Sequence, residues 1–325
     1  MYKILNLLFV RVSVRLPTRI LTIEDTVLNG LKENKMIYKG VFLSDSQKGK
    51  YWSDGYLFPL NIFTLSEASR LRHKLEDWER KWVTKDLPLP LNTYKRVNSH
   101  VVCKLAYEIS SNSSILDRVE SILGANILVW SVEFFIKEPH TRQMVGMHQD
   151  LTYWGMGEID NLVTAWLALS DVNEKSGCMD FVRGSHKNKI LPHTDTHNND
   201  NILSRSQEIN VNVKDKDKTP IILKPGQISL HHGLMIHGSG PNISDDRRIG
   251  VAIRYVSPKA KQTVAEKDYA MLVRGVDKIG NFVNVLPPLG DFTEDSLSVY
   301  DEIRRAQAKA LTAGSSSTVN LYSEA

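Results

Sequence analysis

The sequence predicts a mainly β core, a barrel or sandwich, with helices packed outside it. Three observations predict this. Helical periodicity fills much of residues 64–123. Seven short β-rich segments bounded by turn residues follow between 126 and 256. One charged helix then comes after about residue 290.

The elements follow in order. Thr64 and Glu67 fit a capping box, and Ala68, Leu71, Leu75, Trp78 and Trp82 recur every three or four positions, so 64–82 reads as a helix. VNSHVVCKLAYEI (97–109) and SSILDRVESIL (113–123) read as two more, the second stopped by Gly124. The segments 126–137, 162–169, 177–182, 208–213, 220–223, 227–232 and 247–256 read as strands, with KPGQ (224–227) a turn. Loops 138–161 and 184–207 are long, and long loops on a rigid sheet are usual places for a binding site. EDSLSVYDEIRRAQAKAL reads as the last helix, before a flexible tail. Three regions result: an extension over 1–45, a core over 46–290, and a helix and tail over 291–325.

Composition narrows the function. The chain has 325 residues, 42% hydrophobic and 24% charged, the make-up of an ordinary globule. No apolar run approaches the ~20 residues of a membrane helix. Cys103 and Cys178 are too few for a disulfide framework or a cysteine-rich zinc module, and they suit a reducing compartment such as the cytoplasm. Lys3, Arg11, Arg15 and Arg19 lie in the first 22 residues, where there is no acid; without them 37 basic residues face 37 acidic ones. A neutral body carries no footprint for nucleic acid. The acid-poor start reads as an extension, or an upstream start with Met36 nearer the domain; a mitochondrial import signal is the alternative.

The chemistry lies in MHQDLTYWG (147–155). Residues i and i+2 of a strand share a face, so His148 and Asp150 can reach one ion together. Imidazole plus carboxylate suits Fe(II), Mn or Zn, and two histidines with one carboxylate leave three positions of an octahedral ion open. The third ligand is sought among His231, His232 and His237. His237 is favoured because Gly238, Ser239 and Gly240 follow it and permit close approach. His232 reads as packed or supporting the site; His231, His186, His193 and His197 read as surface or loop residues. Tyr153 and Trp154 read equally as core fillers or pocket lining.

Eleven residues after His237 comes Arg248. Arg247 shares parity with Ile249, Val251, Ile253 and Tyr255, a bulky face suited to packing under helices. Arg248 shares parity with Gly250 and Ala252, a face with room for an acid held by two parallel hydrogen bonds. Arg254 has the same parity and is a second choice.

HQD (148–150), VTAWLALSDVNEKSGCMDFVRGSH (163–186), LKPGQISLHHGLMIHGSGPNISDDRR (223–248) and the following AIRY together resemble the phytanoyl-CoA dioxygenase family of Fe(II)/2-oxoglutarate oxygenases. With strand 126–137 they span roughly residues 50–260. The resemblance implies a double-stranded β-helix, or jelly roll, with the metal at one mouth. It implies His148, Asp150 and His237 as iron ligands and Arg248 as the holder of the distal carboxylate of 2-oxoglutarate. It further implies a hydroxyl from Ser239, a lining Trp166, and Lys137 near the bound acid. O2 is the co-substrate and a small molecule the substrate. RGSH (183–186) departs from the family's usual Pro-Gly-Ser-His. Asp150 stands where halogenating relatives have a small residue, which implies hydroxylation. The wording HQDLTYWG is nearer to the small-molecule tailoring branch than to the acyl-CoA enzyme. Two alternatives stand beside this reading: a metal-binding jelly roll without oxygenase activity, a zinc hydrolase or isomerase, and a non-catalytic interaction protein on the same scaffold.

Overall fold

The computed structural model describes residues 40–196, 200–203, 207–210 and 212–312. The basic segment 1–22, Met36, His197 and the tail beyond residue 312 lie outside these residues.

In chain order the elements are α1 (Asp45–Asp54), β1 (Tyr56–Asn61), α2 (Leu65–Trp82), α3 (Leu91–Arg96), α4 (Ser99–Val102), α5 (Lys104–Ser110), α6 (Ser113–Leu123), β2 (Ile127–Lys137) and β3 (Val145–His148). There follow β4 (Leu162–Ala168), β5 (Met179–Val182), β6 (His193–Asp195), β7 (Gln207–Ile209), β8 (Lys218–Ile221), β9 (Gln227–His232) and β10 (His237–Ser239). Last come β11 (Arg248–Val256), β12 (Tyr269–Arg274), β13 (Val283–Asn284) and α7 (Glu294–Thr312).

A seven-stranded sheet, ordered β1-β9-β4-β11-β2-β12-β13, faces a four-stranded sheet, β3-β10-β5-β8, in a jelly roll. Alternation along the strands separates two of the cores. From β11, Ile249, Val251, Ile253 and Tyr255 turn outward and join Leu75, Trp78, Ile115, Tyr300 and Ile303 of the helices. From the inner faces, Trp166, Ala168, Ala252, Met179, Phe181 and Ile221 pack between the sheets. The Thr64/Glu67 capping box starts α2, a device worth about 1 kcal/mol. Asn112 caps α6, which ends at Gly124 with φ 85°.

The structure corrects the expectation in several places. The helix expected over 97–109 is two short ones, α4 and α5, parted at Cys103, whose backbone is extended (φ −123°, ψ 112°). The strand expected over 208–213 reaches only Ile209. Strands β1, β3, β6, β10, β12 and β13 are additional; β3 lies inside the expected loop 138–161 and β6 inside 184–207.

Candidate active site

Three short pieces of chain assemble the centre. β3 ends at His148, and Asp150 opens a single 3-10 turn, Asp150–Thr152. β10 begins at His237 and runs antiparallel to β3, with His237 directly opposite His148. The imidazole centroids lie 4.2 Å apart, and Nε2 of His148 is 3.3 Å from Oδ1 of Asp150. One donor atom from each of the three residues lies within 4.8 Å of the others, and all three residues are buried. Gly238 allows this approach: a Cβ there would stand 2.7 Å from Sδ of Met147 and 2.8 Å from the Val145 carbonyl.

The imidazoles are oriented alike. Nδ1–H of His148 donates to the Gly146 carbonyl at 2.9 Å, and Nδ1–H of His237 to the Met235 carbonyl at 2.9 Å. A carbonyl only accepts, so Nδ1 carries a proton, which leaves Nε2 as the nitrogen that can offer a lone pair to a cation. Lone pairs on two nitrogens and a carboxylate oxygen converge, an arrangement that a cation completes. Burial opposes charge on Asp150, but contacts with His148 and His231 and the fields of His237 and Arg254 hold its carboxyl well below the usual range. Burial and the neighbouring His148 push His237 well below an ordinary imidazole, leaving it neutral and able to coordinate.

Between Gln149 and the loop lies a clamp. Oε1 of Gln149 accepts from the Leu191 N–H at 2.8 Å, and its Nε2 donates to the Leu234 carbonyl at 3.0 Å. The Gln149 N–H donates to Nε2 of His193 at 3.1 Å. The residue between two candidate ligands thus ties the 184–207 loop to the turn before His237.

The same cavity holds a cationic end. Its lining includes His148, Asp150, His237, Trp166, Ser239 and Arg248. Arg248 is 1% exposed; Nη1 donates to the Gly177 carbonyl at 2.9 Å, while Nε and Nη2 have no partner. Buried guanidinium N–H groups without an acceptor are costly, and here they sit where a carboxylate would satisfy them. Lys137, completely buried, donates to Oγ of Ser239 at 2.7 Å and to the Gly240 carbonyl. Burial and the adjacent Arg248 push its ammonium down to about 6; burial pushes Arg248 down to about 10. The residues present therefore fit a metal ion at one point and an acid anion beside it.

The remaining residues sort clearly. Arg247 faces away from the cavity and pairs with Glu79 of α2 at 2.8 Å. Arg254 is not a second carboxylate anchor beside Arg248: it pairs with Glu133 at 2.7 Å and lies 5.3 Å from the Trp154 ring. Tyr153 and Trp154 line the cavity with Arg96, Glu133 and Arg254. His232 is buried, its Nε2 3.0 Å from Asp160, away from the three ligands. Two histidines read as surface or loop are buried instead. His186 is held by the Trp52 carbonyl at 3.1 Å. His231 is on β9, with Nε2 3.9 Å from Oδ2 of Asp150. Asn242, unremarked in the sequence, donates to the carbonyls of Lys137, Glu138 and Asp246, pinning the chain between His237 and Arg248.

Comparison with known proteins places the chain in a family. The sequence model of the family described as Phytanoyl-CoA dioxygenase (PhyH) matches residues 51–250. Peroxisomal phytanoyl-CoA dioxygenase of Homo sapiens is 24% identical over 232 residues, 66% of this chain and 69% of that protein. A solved structure titled non-heme monooxygenase, ThoJ apo, is 31% identical with a TM-score of 0.74, covering 82% of this chain and 98% of that one. CytC3 with Fe(II) and alpha-ketoglutarate shares the fold at 22% identity and a TM-score of 0.56, over 76% and 97% of the two chains. This chain is a non-haem Fe(II)/2-oxoglutarate dioxygenase, and it belongs to the phytanoyl-CoA dioxygenase (PhyH) family.

Proposed function

We propose that His148, Asp150 and His237 bind Fe(II), that Arg248 holds the distal carboxylate of 2-oxoglutarate, and that the enzyme hydroxylates an unactivated C–H bond of a small molecule. One observation carries this reading: a single cavity contains three converging lone-pair donors and, at one end, a buried guanidinium with two nitrogens open. When bound, the iron and 2-oxoglutarate supply O2-dependent oxidation, with 2-oxoglutarate converted to succinate and CO2.

The protein's share is geometry and exclusion of water. His148 and His237 offer Nε2 because carbonyls occupy Nδ1. Lys137 and the Ser239 hydroxyl stand beside Arg248 to neutralise and orient the acid. Trp166 and Phe135 flank the Arg248 guanidinium at 5.4 and 5.8 Å and wall it from solvent. Asp150 supplies an anionic ligand and so leaves no place for halide, which favours hydroxylation over halogenation. No side chain is required as a general base.

The substrate end carries Arg96, Glu133, Arg254 and Tyr153. Charged and hydrogen-bonding walls suit a compact polar substrate better than a long hydrocarbon chain. No described helix is long and apolar enough to cross a membrane. Cys103 and Cys178, buried and unbonded, suit a reducing compartment, read as the cytoplasm, with the mitochondrion the alternative from the basic start.

The test is a panel of small polar metabolites given to the Fe(II)-loaded enzyme with 2-oxoglutarate. Oxygen uptake and succinate should rise together with one chemical class. A protein that forms no succinate from 2-oxoglutarate, with or without the panel, contradicts the proposal.

A further inference from the structure

One buried group in the cavity remains without a task. His231 is 1% exposed, and neither ring nitrogen has a hydrogen-bond partner. On β9, Ile228 and Leu230 turn to the helix-covered core, whereas His231 and Ser229 turn inward. Thr164 lies directly across from His231, and the hydroxyls of Thr164 and Ser229 are also unpartnered. The rings nearest His231 are Phe181 and His237, each with its centroid at 5.0 Å. A phenylalanine in such a place would bury no unsatisfied nitrogen, so the imidazole carries a desolvation cost that packing does not require.

The carboxylate of Asp150 supplies the reason. Oδ1 lies 3.3 Å from Nε2 of His148, inside the candidate ligand set. Oδ2 lies 3.9 Å from Nε2 of His231. That gap is about 1 Å beyond a hydrogen bond, within reach of a small rotation of the ring and the carboxylate. His231 is not one of the three residues whose donor atoms converge, so it faces the ligand and not the ion.

We infer that His231 is a positioning residue, which donates a hydrogen bond from Nε2–H to Oδ2 of Asp150 and so commits that carboxylate to the metal through Oδ1 alone. The inference rests on the ligand assignment proposed above. A carboxylate held by one oxygen occupies one coordination position instead of two and leaves the other open. Partners of this kind orient metal ligands, and their loss typically lowers metal affinity 10- to 100-fold.

The test uses the full-length, metal-free protein and Co(II) alone as the probe. Calorimetry gives affinity, and the visible ligand-field spectrum reports the coordination. His231→Phe should bind Co(II) about 10-fold or more weakly with a shifted spectrum, while His231→Gln, which keeps an N–H donor, should stay within about 3-fold of wild type. Thermal unfolding of the metal-free His231→Phe protein should match or exceed wild type, which separates positioning from packing. Wild-type affinity and spectrum in His231→Phe would overturn the inference. Should that variant not fold, His231→Leu against His231→Gln decides: recovery by glutamine alone supports the inference, and equal behaviour overturns it. A wild-type protein that binds no Co(II), or binds it undiminished in His148→Ala, overturns the ligand assignment itself.

Discussion

Lys137 and Arg248 are direct cross-strand partners on β2 and β11, both completely or almost completely buried, and no ion pair to a carboxylate serves either among the described residues. Like charges so placed repel, and each is costly to bury. Both groups carry charge together only in the company of an anion, and the dicarboxylate 2-oxoglutarate has the charge and size to supply it.

Arg248→Met should therefore separate stability from function. Removing a buried, uncompensated charge should stabilise the ligand-free protein by about 1–3 kcal/mol. The affinity for 2-oxoglutarate should fall about 30- to 1,000-fold, as for a truncated buried charge pair. Arg248→Lys should lie between, since an ammonium lacks the planar fork. Thermal melts with and without 2-oxoglutarate check both: the variant should melt higher alone and need a much higher concentration of the acid for the same gain.

Lys137 makes a prediction about protons. Burial and Arg248 hold its ammonium down at about 6 in the ligand-free protein, so above that pH it is largely neutral. An adjacent dianion favours the charged form. Binding of 2-oxoglutarate at pH 7.5–8 should then take up close to one proton. Calorimetric titrations in buffers of different ionisation enthalpy measure this, and Lys137→Met should abolish the buffer dependence.

Gly250 tests the parity argument. A Cβ at this position would stand 1.9 Å from Cζ2 of Trp166; the room beside Arg248 is occupied by an indole. Gly250→Ala should cost about 1–3 kcal/mol through overpacking and raise the KM for 2-oxoglutarate as Trp166 is displaced toward the acid. Urea unfolding and initial rates at varied 2-oxoglutarate measure the two effects.

Much of this was legible because long strands display their alternation. β11 runs nine residues, enough to tell Arg247, which pairs with Glu79, from Arg248, which does not leave the cavity. The capping box of α2 and the stop at Gly124 are local and were equally readable. β3 and β10, of four and three residues, are too short to show a period, and their candidate ligands were read from residue type, spacing and the family resemblance. β1 was hidden by Pro59, which argues against a strand interior; it is an edge strand whose register shifts between Leu57 and Leu60. His231 was misread although its parity with Ser229 was visible, because the inward face of β9 is defined only once β1 and β4 lie beside it. The clamp made by Gln149 joins residues 42 and 85 positions distant, which no local pattern announces.

Gln149→Leu addresses that clamp. It strands the Leu191 N–H and the Leu234 carbonyl and should cost about 2–4 kcal/mol. Because Gln149 lies between His148 and Asp150, Fe(II) affinity should fall about 10-fold or more. Chemical denaturation and metal titration on the same preparation would show both; a loss of stability with unchanged metal affinity would confine Gln149 to the loop.

The most direct measurement is an anaerobic titration of the metal-free protein with Fe(II) and then 2-oxoglutarate, followed in the visible. The account predicts a metal-to-ligand charge-transfer band saturating at one equivalent of each. The band should be absent in His148→Ala and His237→Ala, and in Arg248→Met should appear only at much higher 2-oxoglutarate. No band in the wild type, or an undiminished one in His237→Ala, would contradict it.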